Sequence, residues 1–292
     1  MGNEIDAKRF SGHLGFVVKD TNNNGLLDDS DEVRKLVVDE GVKGRVDTKN
    51  DKLSDTPVAA NDPELLAAVS DFVDKSKAAN GLLREVSELN KDLETARAGK
   101  GPKPPEARVS SLADNARRLR ESNAAPSLRA EAELVLSSAL GLTADSYRDS
   151  QLAKMGPGKE AYRTLKDAVA TDPENRNAWI FCAHAWLGLN AAMESKPGLV
   201  KWLAKLAGVN PEADARMLAS GMQKFSGDPV LQVYLLEVLR AQQRAGVTVD
   251  AKLLTNIESG VSELAISYPK DVEVTQRAID KVRSDVLARV SG

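Results

Sequence analysis

The sequence predicts an all-α protein, and three observations favour this fold class. Only 4% of the 292 residues are aromatic, while Ala and Leu are plentiful and β-branched runs are short, a balance that favours helices over sandwiches or barrels. A long apolar stripe at helical spacing follows residue 63. The C-terminal half repeats a helical pattern that ends in proline. We expect three segments, at 1–60, 61–150 and 151–292.

The second segment should open with a long helix. Asp62 is a good N-cap and Pro63 suits the first helical position. Apolar and small side chains then recur in alternating steps of four and three over roughly 30 residues, which is typical of a helix with one apolar, slightly coiled-coil-like face. The apolar members of this stripe are Leu65, Val69, Phe72, Ala79, Leu83, Val86 and Leu93. Gly81 weakens the helix without ending it.

Glycines and prolines then divide the chain. The stretch AGKGPKPPE at 98–106 ends the long helix in an exposed linker or a corner between helices. Two further helical segments are predicted at about 106–121 and 126–141. The stretch MGPGKE at 155–160 predicts another break before the C-terminal segment.

The C-terminal segment contains an internal repeat, in which small or apolar residues at offsets of four and three are followed five residues later by proline. This spacing predicts one helix face and the start of the next helix. The three copies are Ala161, Leu165, Ala168 and Pro173; Leu199, Leu203, Leu206 and Pro211; and Ile257, Val261, Leu264 and Pro269.

These copies resemble the second helix and following turn of tetratricopeptide repeats. Trp179, Ala183 and Trp186 fall where the first helix of that family places a large residue, a small one and an aromatic. A further stretch, which ends in Pro229, is close to the pattern but slips by one residue. The prolines at 173, 211, 229 and 269 are thus 38, 18 and 40 residues apart, whereas the family repeats every 34 or so. The resemblance covers about 160–290 and implies an α-solenoid of divergent helical hairpins.

The sharpest chemical signal is the acidic stretch DTNNNGLLDDSD at 20–31. A calcium loop of the EF-hand type takes oxygens from positions 1, 3, 5, 7, 9 and 12, with Gly at 6. Counting from Asp20, Gly25 is at position 6, and Leu27 at position 8 is expected to point into the core. The oxygens then come from the side chains of Asp20, Asn22, Asn24, Asp28 and Asp31 and the backbone carbonyl of Leu26.

The stretch therefore resembles an EF-hand loop, closest to bacterial and dockerin-like variants, and the resemblance implies bound Ca²⁺. Position 12 is usually Glu, but here it is the shorter Asp31, so the adjacent Glu32 is a candidate additional ligand. Asn22 and Asn24 lower the ligand charge, which predicts moderate or weak affinity. The alternative is an Asx-rich solvated turn that caps a short helix or strand at 33–42. A bound ion could be structural or regulatory.

A second stretch, DTKNDKLSD at 47–55, aligns with the first loop. Lys49 at position 3 would repel a cation, Lys52 replaces the glycine, and Val58 stands at position 12. This copy is predicted to be a degenerate loop that pairs with the first one without binding an ion.

Other classes of function have little support in the sequence. The net charge of −3 without a basic block argues against nucleic-acid binding, and no apolar stretch reaches membrane-spanning length. The first 15 residues lack the apolar region of a secretory signal, so we expect a cytoplasmic location, with export open if a signal has been removed. The single Cys182 excludes intrachain disulfides.

The sequence also nominates no catalytic site. No phosphate loop, nucleophile elbow, zinc spacing or dinucleotide fingerprint is present. Cys182 and His184 are two residues apart on a predicted helix and so point in different directions. We expect both to lie in the core or line a groove, and we predict that the protein is not an enzyme. A site built from scattered Asp and Glu stays the alternative.

These features predict a calcium-binding interaction scaffold for a protein or peptide partner. Candidate anchors in its groove are Trp202, Trp179, Trp186 and Tyr234. Packing between helices is the alternative for Trp179 and Trp186, whereas Trp202 lies in an amphipathic segment between two lysines and is the better exposed candidate. The alternative function is a structural or assembly subunit, in which calcium only stabilises the fold and the stripe at 63–98 mediates homo-oligomer formation.

Overall fold

A computed structural model describes residues 5–38, 52–195 and 209–291. It is 73% helical, which confirms the all-α prediction in its coarse form, and it carries one small sheet. None of the helices described combines the length and the apolar character needed to cross a bilayer. The chain divides into two compact units, Met1–Asn175 and Arg176–Gly292; the division into three segments stays a prediction.

The first unit begins with a small α/β region. Its elements are helix α1 (Ala7–Phe10), a 3-10 turn (His13–Gly15), and strands β1 (Phe16–Lys19), β2 (Glu32–Val38) and β3 (Lys52–Leu53). The strands form an antiparallel sheet in the order β1-β2-β3, with Phe16 opposite Lys35 in the first pair. The stretch at 33–42, predicted as a short helix or strand, is therefore strand over its described part.

Four long helices complete the first unit: α2 (Pro63–Arg97), α3 (Glu106–Glu121), α4 (Pro126–Tyr147) and α5 (Gln151–Thr171). Asp62 caps α2 as predicted, since its carboxylate accepts the amides of Glu64 and Leu65. The bounds of α3 match the prediction, and α4 is six residues longer than predicted, ending at 147 instead of 141.

The break predicted at 155–160 is wrong, because α5 passes through Pro157 without interruption. A proline inside a helix costs about 3 kcal/mol relative to alanine. Helix α5 packs along α4, and Leu165, Ala168 and Val169 are buried. Burial of this face outweighs the local cost of the proline.

The apolar stripe of α2 faces the core of its own unit. Leu65, Phe72 and Ala79 pack in one cluster with side chains of the N-terminal region and α4. Leu89 packs in a second cluster with α3 and α4. The stripe predicted to mediate self-association is thus largely used within the chain, although Leu83 is 38% exposed.

The second unit contains five helices among its described residues: α6 (Arg176–Ser195), α7 (Pro211–Met222), α8 (Pro229–Arg244), α9 (Ala251–Ser267) and α10 (Pro269–Ser291). Pro211 and Pro269 start helices, as the repeat pattern predicts, and Pro229 does the same. At the remaining copy the helix begins at Arg176, three residues after Pro173.

Helix α8 lies at the centre of the second unit, where it packs against the other four helices. Helix α10 returns to α6, and a Cβ added at Gly188 of α6 would lie 3.5 Å from a methyl group of Val282 on α10. An open solenoid has contacts between neighbouring repeats only. Helices α6 and α10 are far apart in sequence and nevertheless in contact; the solenoid stays a prediction.

Candidate calcium loop

Residues 20–31 connect β1 to β2, and the pair Lys19 and Glu32 closes the hairpin at the base of this loop. The EF-hand resemblance implies a loop between two helices, but antiparallel strands flank it here. The flanking helices of an EF-hand are thus absent around this loop, and the likeness of the loop itself stays a prediction from the sequence.

The loop is fixed to the core of the first unit at its centre. The amide of Leu27 donates to the carbonyl of Ile5 at 2.8 Å, and the amide of Ala7 donates to the carbonyl of Gly25 at 3.0 Å. The Leu27 side chain is only 2% exposed and packs in the core cluster, as position 8 of a calcium loop predicts. Movement of the loop is thereby coupled to the packing of the N-terminal region.

Two residues of the loop have left-handed backbone conformations. Gly25 has a φ of 77° and Asn23 a φ of 54°. Glycine adopts this conformation without steric cost, and asparagine tolerates it better than most residues. The turn at Gly25 lets the chain fold back, so that residues on both sides of it face the same space.

Asp28 is the centre of the side-chain arrangement. Its Oδ2 accepts from the Asn22 amide at 3.0 Å and from the Asn24 amide at 2.7 Å, while its Oδ1 accepts from the Ser30 hydroxyl at 2.6 Å. The hydrogen bonds from Ser30, Asn22 and Asn24 lower the pKa of Asp28 far below its usual range. An ionised carboxylate thus lies between two amide side chains. The participation of Ser30 was not predicted, because the EF-hand scheme assigns no ligand to its position.

Asp20 and Asp31 are held by backbone amides at the two ends of the loop. Asp20 accepts from the amide of Gly25 at 2.7 Å and from that of Asn24 at 3.2 Å. Asp31 accepts from the amide of Asp28 at 2.8 Å and from that of Thr21 at 3.1 Å. These bonds fix each carboxylate relative to the turn and join the start of the loop to its end.

The donor set suits a hard cation, with some rearrangement. Calcium prefers six to eight oxygens, including carboxylates, amide carbonyls and backbone carbonyls. The side-chain amides of Asn22 and Asn24 point their NH₂ groups at Asp28, so both must rotate to present oxygen to an ion. Within the described part of the chain, no three Asp, Glu, His or Cys side chains are grouped as metal ligands. An ion here would depend on the two asparagines.

Glu32 lies outside this arrangement. Its carboxylate accepts a hydrogen bond from Arg34 and lies 3.8 Å from the Lys19 ammonium. Strand β2 begins at Glu32, and pairing with these two cations occupies the carboxylate of this candidate additional ligand. The structure therefore joins the side chains of Asn22, Asn24 and Asp28. Asp20 and Asp31 are held by backbone amides of the same loop, and Glu32 lies apart from all five.

The degenerate second loop falls mostly on residues outside those described. Only its end is seen, where Lys52 and Leu53 form β3 beside β2. The predicted pairing of the two loops stays a prediction.

The aromatic residues proposed as groove anchors are interior where they can be seen. Trp179, Trp186 and Tyr234 are 4%, 2% and 4% exposed, so packing between helices describes them better than contact with a partner. Tyr234 also pairs with His184, whose Nδ1 lies 2.9 Å from the phenol oxygen. Trp202 lies outside the described residues. Helical spacing could not predict that Trp179, Trp186 and Tyr234 are interior, because a stripe of aromatic residues fits a groove and a core equally well.

Neither models of known protein families, nor curated protein sequences, nor solved structures match this chain. The function must therefore be inferred from the loop and the helices themselves.

Proposed function

We propose that residues 20–31 bind one Ca²⁺ ion, and that this ion stabilises the N-terminal region of a helical scaffold for a protein or peptide partner. The observation that carries the proposal is the hydrogen-bond network of one glycine-turned loop, in which Asp28 accepts from the side chains of Asn22 and Asn24 while Asp20 and Asp31 accept from backbone amides. The carbonyl of Leu26 would add a sixth oxygen.

A structural role for the ion follows from the neighbouring contacts. Leu27 is buried in the core cluster and hydrogen-bonded to Ile5, and the proposed ligands Leu26 and Asp28 lie on either side of it. An ion that restrains those two residues also restrains Leu27. Because an ion that binds only the folded chain stabilises it by mass action, calcium at 100 times its Kd should add about 2.7 kcal/mol to the free energy of unfolding.

Calorimetry on the whole chain tests the calcium site. We expect one ion per chain with a Kd of roughly 10⁻⁵ to 10⁻³ M, since two asparagines replace carboxylates. Asp20→Ala should abolish the binding heat and the calcium-dependent rise in Tm. Asp29→Asn removes the same charge at a loop position that the calcium scheme does not use, and should bind as the wild type does. Equal heats for wild type and Asp20→Ala would end the proposal.

The partner half of the proposal is supported by the helical repeat pattern, whose prolines at 211 and 269 begin helices. Apolar side chains remain exposed on the second unit, among them Phe181 (47%), Ile266 (84%) and Tyr268 (48%). Exposed apolar groups of this kind are common at partner surfaces when they form a continuous patch. A partner captured by the wild type should be lost by an Ile266→Ser, Tyr268→Ser double variant and kept by Arg216→Gln.

The assembly-subunit alternative loses its main support, because the α2 stripe is mostly buried within its own unit. Light scattering separates the two functions. The scaffold proposal expects a monomer with and without chelator, whereas a stable oligomer insensitive to calcium would favour the assembly subunit.

A further inference from the structure

The second unit contains a cleft of about 630 Å³ between the end of α6, the start of α7 and the end of α8. Sites for small ligands usually have volumes of about 300 to 1,000 Å³ and combine apolar walls with a few polar groups. This cleft belongs to neither the calcium loop nor the exposed apolar side chains described above.

Apolar side chains from all three helices form its walls. Trp186 and Met193 lie on α6, Ala215 lies on α7, and Ala245 is the residue that caps the C-terminal end of α8. Trp186 is 2% exposed, and its indole nitrogen donates to the carbonyl of Pro211 at 2.9 Å. The aromatic wall is therefore fixed in place before any ligand arrives.

Two buried amide side chains reach the cleft from opposite helices. Asn190 of α6 is 5% exposed, and its amide donates to the Glu194 carboxylate at 2.8 Å. Gln242 of α8 is 6% exposed and lines the cleft, yet its side chain makes no hydrogen bond to any residue within the described ranges. The Gln242 amide therefore faces the cleft and is available to bond with a bound molecule.

A pair of opposite charges stands at the mouth of the cleft. The Arg244 Nε lies 3.4 Å from the Glu194 Oε1, and the two side chains are 43% and 41% exposed. This single long contact leaves the two terminal nitrogens of Arg244 and the second oxygen of Glu194 without a partner among the described residues. Arg244 can therefore receive a carboxylate, while Glu194 can receive an ammonium group.

We propose that this cleft binds a small zwitterionic ligand with an apolar body, namely a dipeptide or a free amino acid with an apolar side chain. Arg244 would bind its carboxylate, Glu194 its ammonium, Gln242 an amide group, and the wall around Trp186 its side chain. The volume suits a dipeptide better than a single amino acid, because ligands are usually enclosed over most of their surface. The inference is independent of the calcium loop and of the partner surface.

Calorimetry of the full chain with leucyl-leucine tests this inference. The wild type should bind it saturably. N-acetyl-leucyl-leucine lacks the ammonium group and leucyl-leucinamide lacks the carboxylate, and each should bind about tenfold more weakly or worse. Free leucine, run in parallel, distinguishes the two sources of the zwitterion. Arg244→Gln should weaken leucyl-leucine about tenfold and leave leucyl-leucinamide unchanged, whereas Arg216→Gln, an exposed change on α7, should alter neither.

A second variant separates binding from folding. Gln242→Leu removes a cleft-lining amide that has no side-chain hydrogen bond within the described ranges, so the variant should unfold at about the same temperature as the wild type while its affinity for leucyl-leucine falls. Absence of saturable binding to the wild type by leucine and leucyl-leucine would overturn the inference. Equal affinity for the free and the blocked dipeptides would overturn it as well, because the charged mouth would then have no role.

Discussion

His13 and Asp71 join the N-terminal region to helix α2 through a hydrogen bond of 2.7 Å between the imidazole Nε2 and the carboxylate Oδ2. The imidazole is completely buried, and its Nδ1 accepts the backbone amide of Ala125 at 3.0 Å. Because Nδ1 accepts, the ring proton lies on Nε2 and donates to Asp71. A neutral imidazole thus satisfies two partners from separate segments of the chain at once.

Stability should fall when His13 is protonated. Burial lowers the pKa of His13 below 6.5, against the opposing effect of Asp71, and a second proton on Nδ1 would displace the amide of Ala125. The unfolded chain therefore binds the proton more readily than the folded chain does. The contribution of neutral His13 to the free energy of unfolding is fully present above pH 6.5 and is lost as the pH falls through the lowered pKa. Urea unfolding between about pH 7.5 and 5 should show this loss, and His13→Gln should reduce it.

The comparison with His184 tests the assignment. Burial also lowers the pKa of His184, but this residue lies in the second unit. His184→Gln should leave the acid sensitivity of the first unit in place. If both variants change the pH dependence of the first unit equally, the role given to the His13 contacts is wrong.

Glu133→Gln should stabilise the protein at neutral pH and above. Burial raises the pKa of Glu133 to about 7, and its Oε2 makes no hydrogen bond within the described part of the chain. The native state holds the proton more tightly than the unfolded state, so stability decreases as the pH rises from about 4.5 to about 7. Glutamine removes this loss of unfolding free energy, which is at most about 3 kcal/mol. Urea unfolding at about pH 8 measures the difference between the variant and the wild type. At about pH 4 the variant and the wild type should be similar, and the exposed change Glu121→Gln should have no effect at either pH.

Gly221→Ala should strongly destabilise the second unit. A Cβ at Gly221 would lie 1.9 Å from the Trp179 ring, an overlap that costs about 3 kcal/mol or more. Gly260→Ala is the matched control, since nothing lies within 4 Å of its Cβ position and alanine favours a helix by about 0.5–1 kcal/mol. In a Trp179→Leu background the Gly221→Ala change should cost much less. Additive costs would contradict the proposed contact.

Gly25→Ala should weaken both the loop and its affinity for calcium. Space is available at this position, but the φ of 77° is unfavourable for alanine, with a cost of about 1–2 kcal/mol. Gly81→Ala, in the interior of α2 with open space around it, should instead stabilise the chain slightly. Thermal unfolding with and without calcium measures both changes. A Gly25→Ala variant with unchanged Tm and calcium affinity would show that the turn does not organise the ligands.

Features that depend on a few neighbouring residues could be predicted from the sequence. Asp62 and Pro63 define the start of α2 because the cap bonds only to amides two and three positions away. Pro211 and Pro269 begin helices for a similar local reason. In the loop, Gly25 adopts the turn and Leu27 points inward as predicted. Both features could be predicted because they depend on positions within a single stretch of twelve residues.

Tertiary structure decided what distant segments do to one another. Pairing of β1 with β2 placed the loop in a hairpin instead of between helices, and packing of α5 on α4 carried a helix through Pro157. Burial likewise turned Trp179 and Trp186 inward, and convergence of α6, α7 and α8 opened the cleft beside Gln242. Helical spacing fixes which side chains share a face. The free energy of burying that face depends on which other segment packs against it, and that segment is far away along the chain.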